Sequence, residues 1–277
     1  MHKLIINFTP TGMVPSKAMT PLVPISADEI VEDVLDCAGL GVSIVHLHAR
    51  DSQGLPTQDP EAYAEIIRGI RRERRDLILC VTTSGRTHPR LEDRAAVLGL
   101  EGECKPDMAS LTLGSMNFAR SASINSPETI QGLARRMLER GIRPELEVFE
   151  AGMINYGKYL MKKGLLEAPG YFNLLLGNIA TGQADEPTLD LMLGALPEGA
   201  TWAGAGIGDC QAQVHRWAMA RGGHVRVGLE DNIFFDEERT TLASNRMLVQ
   251  RTVDLATEHG REIATPAQTR SLLGLEH

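Results

Sequence analysis

Eight short apolar, β-branched segments recur along the chain, each followed by a turn and then a stretch of helical character. That alternation is the mark of parallel βα units, because neighbouring parallel strands need a crossover and a helix supplies it. The segments run Leu4 to Phe8, Val42 to His48, Leu77 to Thr82, Met108 to Leu111, Leu146 to Phe149, Phe172 to Leu176, Thr201 to Ala205 and Val225 to Leu229. Eight is the number a closed barrel requires, so an α/β fold, a single-domain (β/α)8 TIM barrel over residues 1–274, is predicted. Helix starts are signalled independently of the strands. Ser26 with Glu29 and Thr265-Pro266 with Gln268 fit capping boxes, and Ser126-Pro127 puts proline at a first helical position. A doubly wound open sheet is the competing fold, but the first βα turn, Thr9-Pro10-Thr11-Gly12-Met13, lacks the GxGxxG pattern of a dinucleotide site. Leu275-Glu276-His277 reads as the residue of an expression tag and stands outside the fold argument.

Composition removes several function classes. The formal net charge of -8 argues against nucleic-acid and acidic-membrane partners, since binding phosphates needs clustered Lys and Arg. The run Arg71 to Arg75 reads as a solvated helix face. No stretch approaches the ~20 apolar residues of a membrane span, and the apolar run near Met1 is too short for a signal peptide. A cytoplasmic protein is therefore expected. Cys37, Cys80, Cys104 and Cys210 form no CxxC pair, so free thiols are expected rather than a zinc ribbon or redox motif.

The chemistry concentrates at two strand ends. In Ile44-Val45-His46-Leu47-His48 the histidines stand two residues apart, which on a strand puts both on one face. If Val45 and Leu47 face the helices, His46 and His48 point into the barrel mouth, where this fold places active sites. A packed or hydrogen-bonded histidine pair is the alternative. Gly228-Leu229-Glu230-Asp231-Asn232 ends the eighth strand, and in a closed barrel strands two and eight both flank strand one. Glu230 is thus in reach of an ion held by His46 and His48. Two His plus one carboxylate with an open fourth position is a catalytic zinc arrangement, one ion per chain. An N-capping turn before a helix starting near Asp236 would also account for the acidic residues. Arg226, four residues before Glu230 and on its face, could hold Asp231 ionised as a proton-abstracting base, or serve an internal salt bridge. Ala203 to Gly208 is glycine-rich, so Gly206 and Gly208 are candidates for backbone phosphate contacts, with a tight turn as the other explanation.

Thr11-Gly12, Pro24-Ile25, His46-Leu47-His48, Lys105 to Ala109, Asn117-Phe118, Glu145 through Met153, Trp202-Ala203, Gly206-Ile207-Gly208 and Gly222-Gly223-His224 through Ile233 together resemble the β-keto acid cleavage enzyme family, best known for 3-keto-5-aminohexanoate cleavage. The likeness spans nearly the whole chain. It implies a zinc-dependent barrel, commonly a homotetramer, that converts a β-keto acid and acetyl-CoA into acetoacetate and a new acyl-CoA. Carried over, His46, His48 and Glu230 ligate zinc, and Asp231 with Arg226 serves proton abstraction. Thr82 and Ser110 hold the family's substrate-contacting hydroxyl positions with Ser and Thr exchanged, and Glu147 faces the site. Where the 3-keto-5-aminohexanoate enzymes place a Glu for the substrate ammonium, this chain has Val14, which implies a neutral substrate; if Lys17 faced inward, a second carboxylate would be favoured instead. A class II zinc aldolase or barrel metal hydrolase is the enzymatic alternative. A non-catalytic metal-binding barrel is the other, and it fits poorly with the presence of Arg226 and Asp231.

Overall fold

Closure of the sheet is decided where the first strand meets the last. The computed structural model describes residues 3–275. In it β1 (Ile6–Phe8) pairs in parallel with β10 (His224–Val227) on one side, Ile6 opposite Val225, and with β2 (Ile44–Leu47) on the other, Asn7 opposite Ile44. Between them run β3 (Ile78–Val81), β4 (Met108–Thr112), β7 (Arg143–Val148), β8 (Tyr171–Leu176) and β9 (Thr201–Gly206), which complete the ring β1-β10-β9-β8-β7-β4-β3-β2. The predicted eight-stranded barrel is therefore formed. A small antiparallel hairpin, β5 (Met116–Asn117) with β6 (Ala122–Ser123), stands apart from it in the loop after β4.

The pleat sorts side chains into two compartments. Phe8, Val45, Leu47, Leu79, Leu146 and Val148 point outward and pack with helix residues such as Ile30 and Val34 of α1 (Ala27–Ala38) and Ile66, Ile67 and Ile70 of α2 (Pro60–Glu73). The inward residues Ile5, Ile44, Ile78, Met108, Tyr171 and Ala203 form a separate apolar cluster at the lower end of the barrel. Two residues further up the same strands stand Asn7, His46 and Asn173, all buried and polar. The apolar floor below and the ring of strands around make this upper layer a place where charge is held away from water.

Local signals and structure agree where capping chemistry was readable. Both capping boxes form, at Ser26 with Glu29 before α1 and at Thr265 with Gln268 before the last helix (Pro266–Leu273), and Ser126 caps the helix Pro127–Arg140 with Pro127 at its first position. No helix starts near Asp236. That carboxylate instead accepts from the backbone N–H groups of Thr240 and Thr241, and the following helix (Asn245–Glu258) begins nine residues later with Ser244 as its cap. The strand predicted from Leu146 begins three residues earlier, at Arg143, because Glu145 and Glu147 point inward and hide the strand behind a polar pattern. Leu275 packs against the interior cluster, and Glu276 and His277 of the suspected tag lie outside the described residues. All four cysteines are free, and no helix among the described residues is long and apolar enough to cross a membrane.

One buried side chain ties the barrel seam to the helix layer. Asn245 Oδ1 accepts from the Leu229 N–H at 2.8 Å, and its Nδ2 donates to the Pro10 carbonyl at 2.9 Å and to Asp33 at 2.5 Å. Asn245→Ala would strand the Leu229 donor in a dry environment, a loss of about 1–3 kcal/mol. The expected outcome is a lower midpoint in thermal unfolding followed by circular dichroism, and a wild-type midpoint would contradict the role.

Candidate metal centre

His46 and His48 occupy successive inward positions at the upper end of β2, as the alternation requires, and their Nε2 atoms are 3.2 Å apart. Glu230 reaches them because the chain after β10 curls tightly over β1. A β-carbon at Gly228 would lie 2.0 Å from the Thr9 carbonyl oxygen, and the Glu230 N–H donates to that same oxygen at 3.2 Å. The result sets Glu230 Oε1 3.3 Å from His48 Nε2 and Oε2 4.0 Å from His46 Nε2. Gly12 lies against this side chain with φ of 66°, and a β-carbon there would fall 2.5 Å from Glu230 Cγ. A glycine is needed at that position twice over, for its backbone and for the space. Arg50 holds the same loop by donating to the Gly12 and Pro15 carbonyls at 2.6 and 2.9 Å.

The residues present fit a divalent cation. Ligand atoms of His46, His48 and Glu230 lie within 4.8 Å of one another, and Glu230 Oε2 is buried without a hydrogen-bond partner. Glu145, an acceptor when ionised, takes a hydrogen bond from His46 Nδ1 at 2.5 Å, so once His46 is neutral its Nε2 carries the lone pair on the side of Glu230. Charge points the same way. Arg226 faces Glu147 at 2.8 Å, Glu230 at 2.8 Å, Asp231 at 2.9 Å and Glu145 at 3.8 Å, so four carboxylates surround one guanidinium, three negative charges in excess. A dication held by neutral His46 and His48 would reduce that excess to one. His46, Cys80 and Glu145 also cluster within 4.8 Å, but burial above all, and Glu145 beside it, pushes the Cys80 thiol up, so it stays protonated and a poor ligand.

Environment separates the roles of the neighbouring acids. Burial opposes ionisation of Glu230, but His48, Arg226 and His46 outweigh it and hold the carboxyl well below the usual range. Asp231 goes the other way: burial raises its pKa, and the like charge of Glu230 prevails with it over Arg226. One carboxylate is thus a permanent anion suited to ligate, and its neighbour a stronger base, each set by its surroundings. Burial pulls His46 down, yet Glu145 and Glu230 carry it up to about 9, while Glu145 itself is drawn to about 2, mostly by His46 against its own burial. His48 is lowered by burial.

Of the residues singled out from sequence, His46, His48, Glu230, Asp231, Arg226 and Glu147 meet in one place, and Thr112 donates to Glu147 at 2.7 Å. Thr82 and Ser110 are buried beside it. Thr82 Oγ1 accepts from the Ser84 N–H and Ser110 Oγ from the Thr83 N–H, so both brace the loop after β3. Val14 is 54% exposed on the first loop. Lys17 turns away from the centre, to Glu29 at 2.7 Å and the Pro21 carbonyl at 3.3 Å. Both glycines of the β9 loop have structural reasons: a β-carbon at Gly206 would lie 2.6 Å from Gln211 Cα, and the Gly208 N–H donates to the Asp231 carbonyl at 2.8 Å. Glu145 was quoted from sequence without a role; alternation with Glu147 across Leu146 is the signal that puts it inside. Its second oxygen accepts from Asn7 Nδ2 at 2.5 Å, a partner sequence reading missed.

A closed barrel whose mouth gathers two imidazoles beside a buried carboxylate, with a second carboxylate held by an arginine, defines a barrel with a candidate metal centre. Residues 3–275 match the profile of the beta-keto acid cleavage enzyme family, and the chain belongs to that family. It is 38% identical, over 100% of its own length and 99% of the relative's, to a protein of Fusobacterium nucleatum named 3-keto-5-aminohexanoate cleavage enzyme. It is 37% identical, over 98% and 94% respectively, to 3-oxoadipate:acetyl-CoA acetyltransferase of Cupriavidus necator. Among solved structures, apo ObcA shares the fold with a TM-score of 0.82 at 21% identity, covering 94% of this chain and 66% of that one.

Glu145 orients His46 from behind, so Glu145→Gln is expected to weaken metal binding by ~10–100-fold while leaving all three ligands in place. Competition with a chromophoric chelator measures this. Unaltered affinity would show that His46 is held by packing alone.

Proposed function

We propose that the protein is a zinc-dependent β-keto acid cleavage enzyme that condenses a β-keto acid with acetyl-CoA, giving acetoacetate and a new acyl-CoA. The observation that carries this reading is the unpartnered Glu230 Oε2 beside two imidazole Nε2 atoms, with Asp231 held next to it by Arg226. An imidazole and carboxylate donor set with an open position suits zinc. His46, His48 and Glu230 hold the ion, which when bound supplies Lewis-acid polarisation of the keto acid's carbonyl. Asp231 takes a proton from C2 of the keto acid, and C2 then attacks the acetyl thioester, releasing CoA thiolate. Arg226 keeps the carboxylate aimed through its Nε and Nη2 contacts at 2.9 and 3.3 Å. After the thiolate has added to the original ketone and the C2–C3 bond has broken, Asp231 returns the proton to yield acetoacetate. Thr82, Ser110 and Glu147 line the substrate side of this reading. CoA is taken to approach over the β9 loop, where Gly206 and Gly208 carry no side chain.

The far end of the keto acid meets the first loop. Met13, Val14 and Pro15 offer no carboxylate there, and an ammonium without a counter-charge would lose several kcal/mol in desolvation, as an order of magnitude. The expectation of a neutral acid rests on Val14, and the loop supports the part of it that excludes an amino-bearing substrate. A cytoplasmic homotetramer completes the reading. Exposed apolar side chains of the loops above the strands, Met19, Leu22, Leu55, Ile124 and Ile179, offer surface for the subunit association in it.

A zinc aldolase or hydrolase would keep the metal without needing acetyl-CoA. Carbon-labelled acetyl-CoA separates them, since the label should enter acetoacetate, and its absence with every β-keto acid tried would end the proposal. His46→Ala should empty the metal site. Asp231→Asn should keep metal yet lose C2 proton exchange into deuterated solvent by ~10²–10⁴-fold; exchange at the wild-type rate would move the base to another residue.

A further inference from the structure

Among the described residues, no carboxylate pairs with the guanidinium of Arg86. Arg86 stands on the loop after β3, and that loop is firmly held. Arg94 donates to the Thr83 carbonyl and to Asn125 Oδ1, each at 2.7 Å, and Gln58 donates to the Ser84 carbonyl at 3.1 Å. The Arg86 guanidinium carbon lies 3.6 Å from the centroid of the Phe118 ring, and Phe118 is braced edge-on by Phe149 at 5.9 Å. A cation on an aromatic face is stabilised there and loses freedom to wander. Yet Arg86 Nε is buried with no hydrogen-bond partner, and no carboxylate of the described residues lies within ion-pair distance of the group. Following β3 and resting on Phe118 of the loop after β4, the guanidinium stands at the same end of the barrel as the metal centre, and burial lowers its pKa while Glu230 and Glu147 oppose the fall.

A guanidinium partly out of water with unmade hydrogen bonds is unfavourable until a ligand makes them, and its planar fork matches a carboxylate. Neighbouring cations are not free for that task. Lys17 is paired with Glu29, and Arg50 has both terminal nitrogens bound to the carbonyls of Gly12, Pro15 and Gly54, with only its Nε left without a partner. We propose that Arg86 is the specificity-determining residue that binds the distal carboxylate of a dicarboxylic β-keto acid. This rests on the function proposed above, with the β-keto acid end at His46, His48 and Glu230, and it replaces a neutral distal group with an anionic one. The apolar surface of Val14 would then face the methylenes between the two ends. The phosphates of CoA are the other anions in the reaction, but the pantetheine arm separates them from the thioester that must reach C2.

The experiment compares zinc-loaded wild type with Arg86→Gln and Arg86→Lys, using a dicarboxylic β-keto acid and a neutral one of equal chain length. The expected result is a wild-type preference for the dicarboxylic acid in kcat/KM. In Arg86→Gln the dicarboxylic-to-neutral ratio should fall roughly ten- to a hundredfold, chiefly through KM, the size of a lost charge-assisted pair. Arg86→Lys should restore part of it. Calorimetric titration of the dicarboxylic acid without acetyl-CoA should show the same loss in binding, and equal zinc content and melting temperature across variants excludes misfolding. An equal loss on both acids, an unmoved ratio, or an effect confined to the KM of acetyl-CoA overturns the assignment, the last by making a phosphate the partner. Acetoacetate formation from the neutral acid with an unmoved ratio would overturn Arg86 alone, whereas no acetoacetate from either acid would overturn the proposed function with it.

Discussion

The guanidinium of Arg226 is the charge on which the centre depends. It is almost wholly buried, and four carboxylates from β7 and the turn after β10 converge on it. Carboxylates this close inside a protein cannot all ionise unless a cation compensates them, and removing one partner of such a cluster costs ~3–5 kcal/mol by leaving the rest uncompensated. The guanidinium also acts as a spacer. Its Nη2 touches Glu230 and its Nε Asp231, so one planar group fixes the spacing of the carboxylates proposed for ligation and proton transfer. A lysine could neutralise charge there but could not hold two carboxylates in a set relation.

Closure of the barrel makes that convergence possible. The histidines come from β2 and the glutamate from beyond β10, and only a ring that seals at β1 makes those strands near neighbours. The seam itself must be thin: Gly228 passes against Thr9, and Gly12 against Glu230, at distances that no side chain would allow. The glycine in Thr11-Gly12 and the one opening Gly228 to Asn232 are two points along the same seam.

How much of this was legible in the sequence follows from where the signal lived. The His46 and His48 pair could be placed because Val45 and Leu47 mark the outward face, and Glu230 because turn and strand signals adjoin it. Glu145 escaped a role because a strand whose inward positions are acidic reads as a loop: the apolar pattern resumes only at Leu146, after three residues already in the sheet. Arg86 and Phe118 could not be paired at all. They sit on separate loops, and loops carry no period from which a contact can be read. Whether Lys17 faced the pocket was likewise undecidable, since Glu29, its partner, reveals itself in sequence only as a capping residue.

Charge bookkeeping at the centre also constrains the order in which things bind. The side chains around Arg226 leave the upper barrel negative, and a β-keto acid arrives as an anion. Without a cation at His46, His48 and Glu230 the substrate's carboxylate would enter against that field in a poorly screened interior, where like charges repel most strongly. On the proposed function, a dication there would remove most of the excess negative charge while Arg226 still held Asp231 and Glu147. Under the proposed function metal and keto acid would be coupled ligands, each raising the affinity of the other by the same factor, as linkage demands. In the proposed scheme the strand-borne residues set whether an anion can enter at all, and the loop-borne Arg86 and Val14 act on which one does.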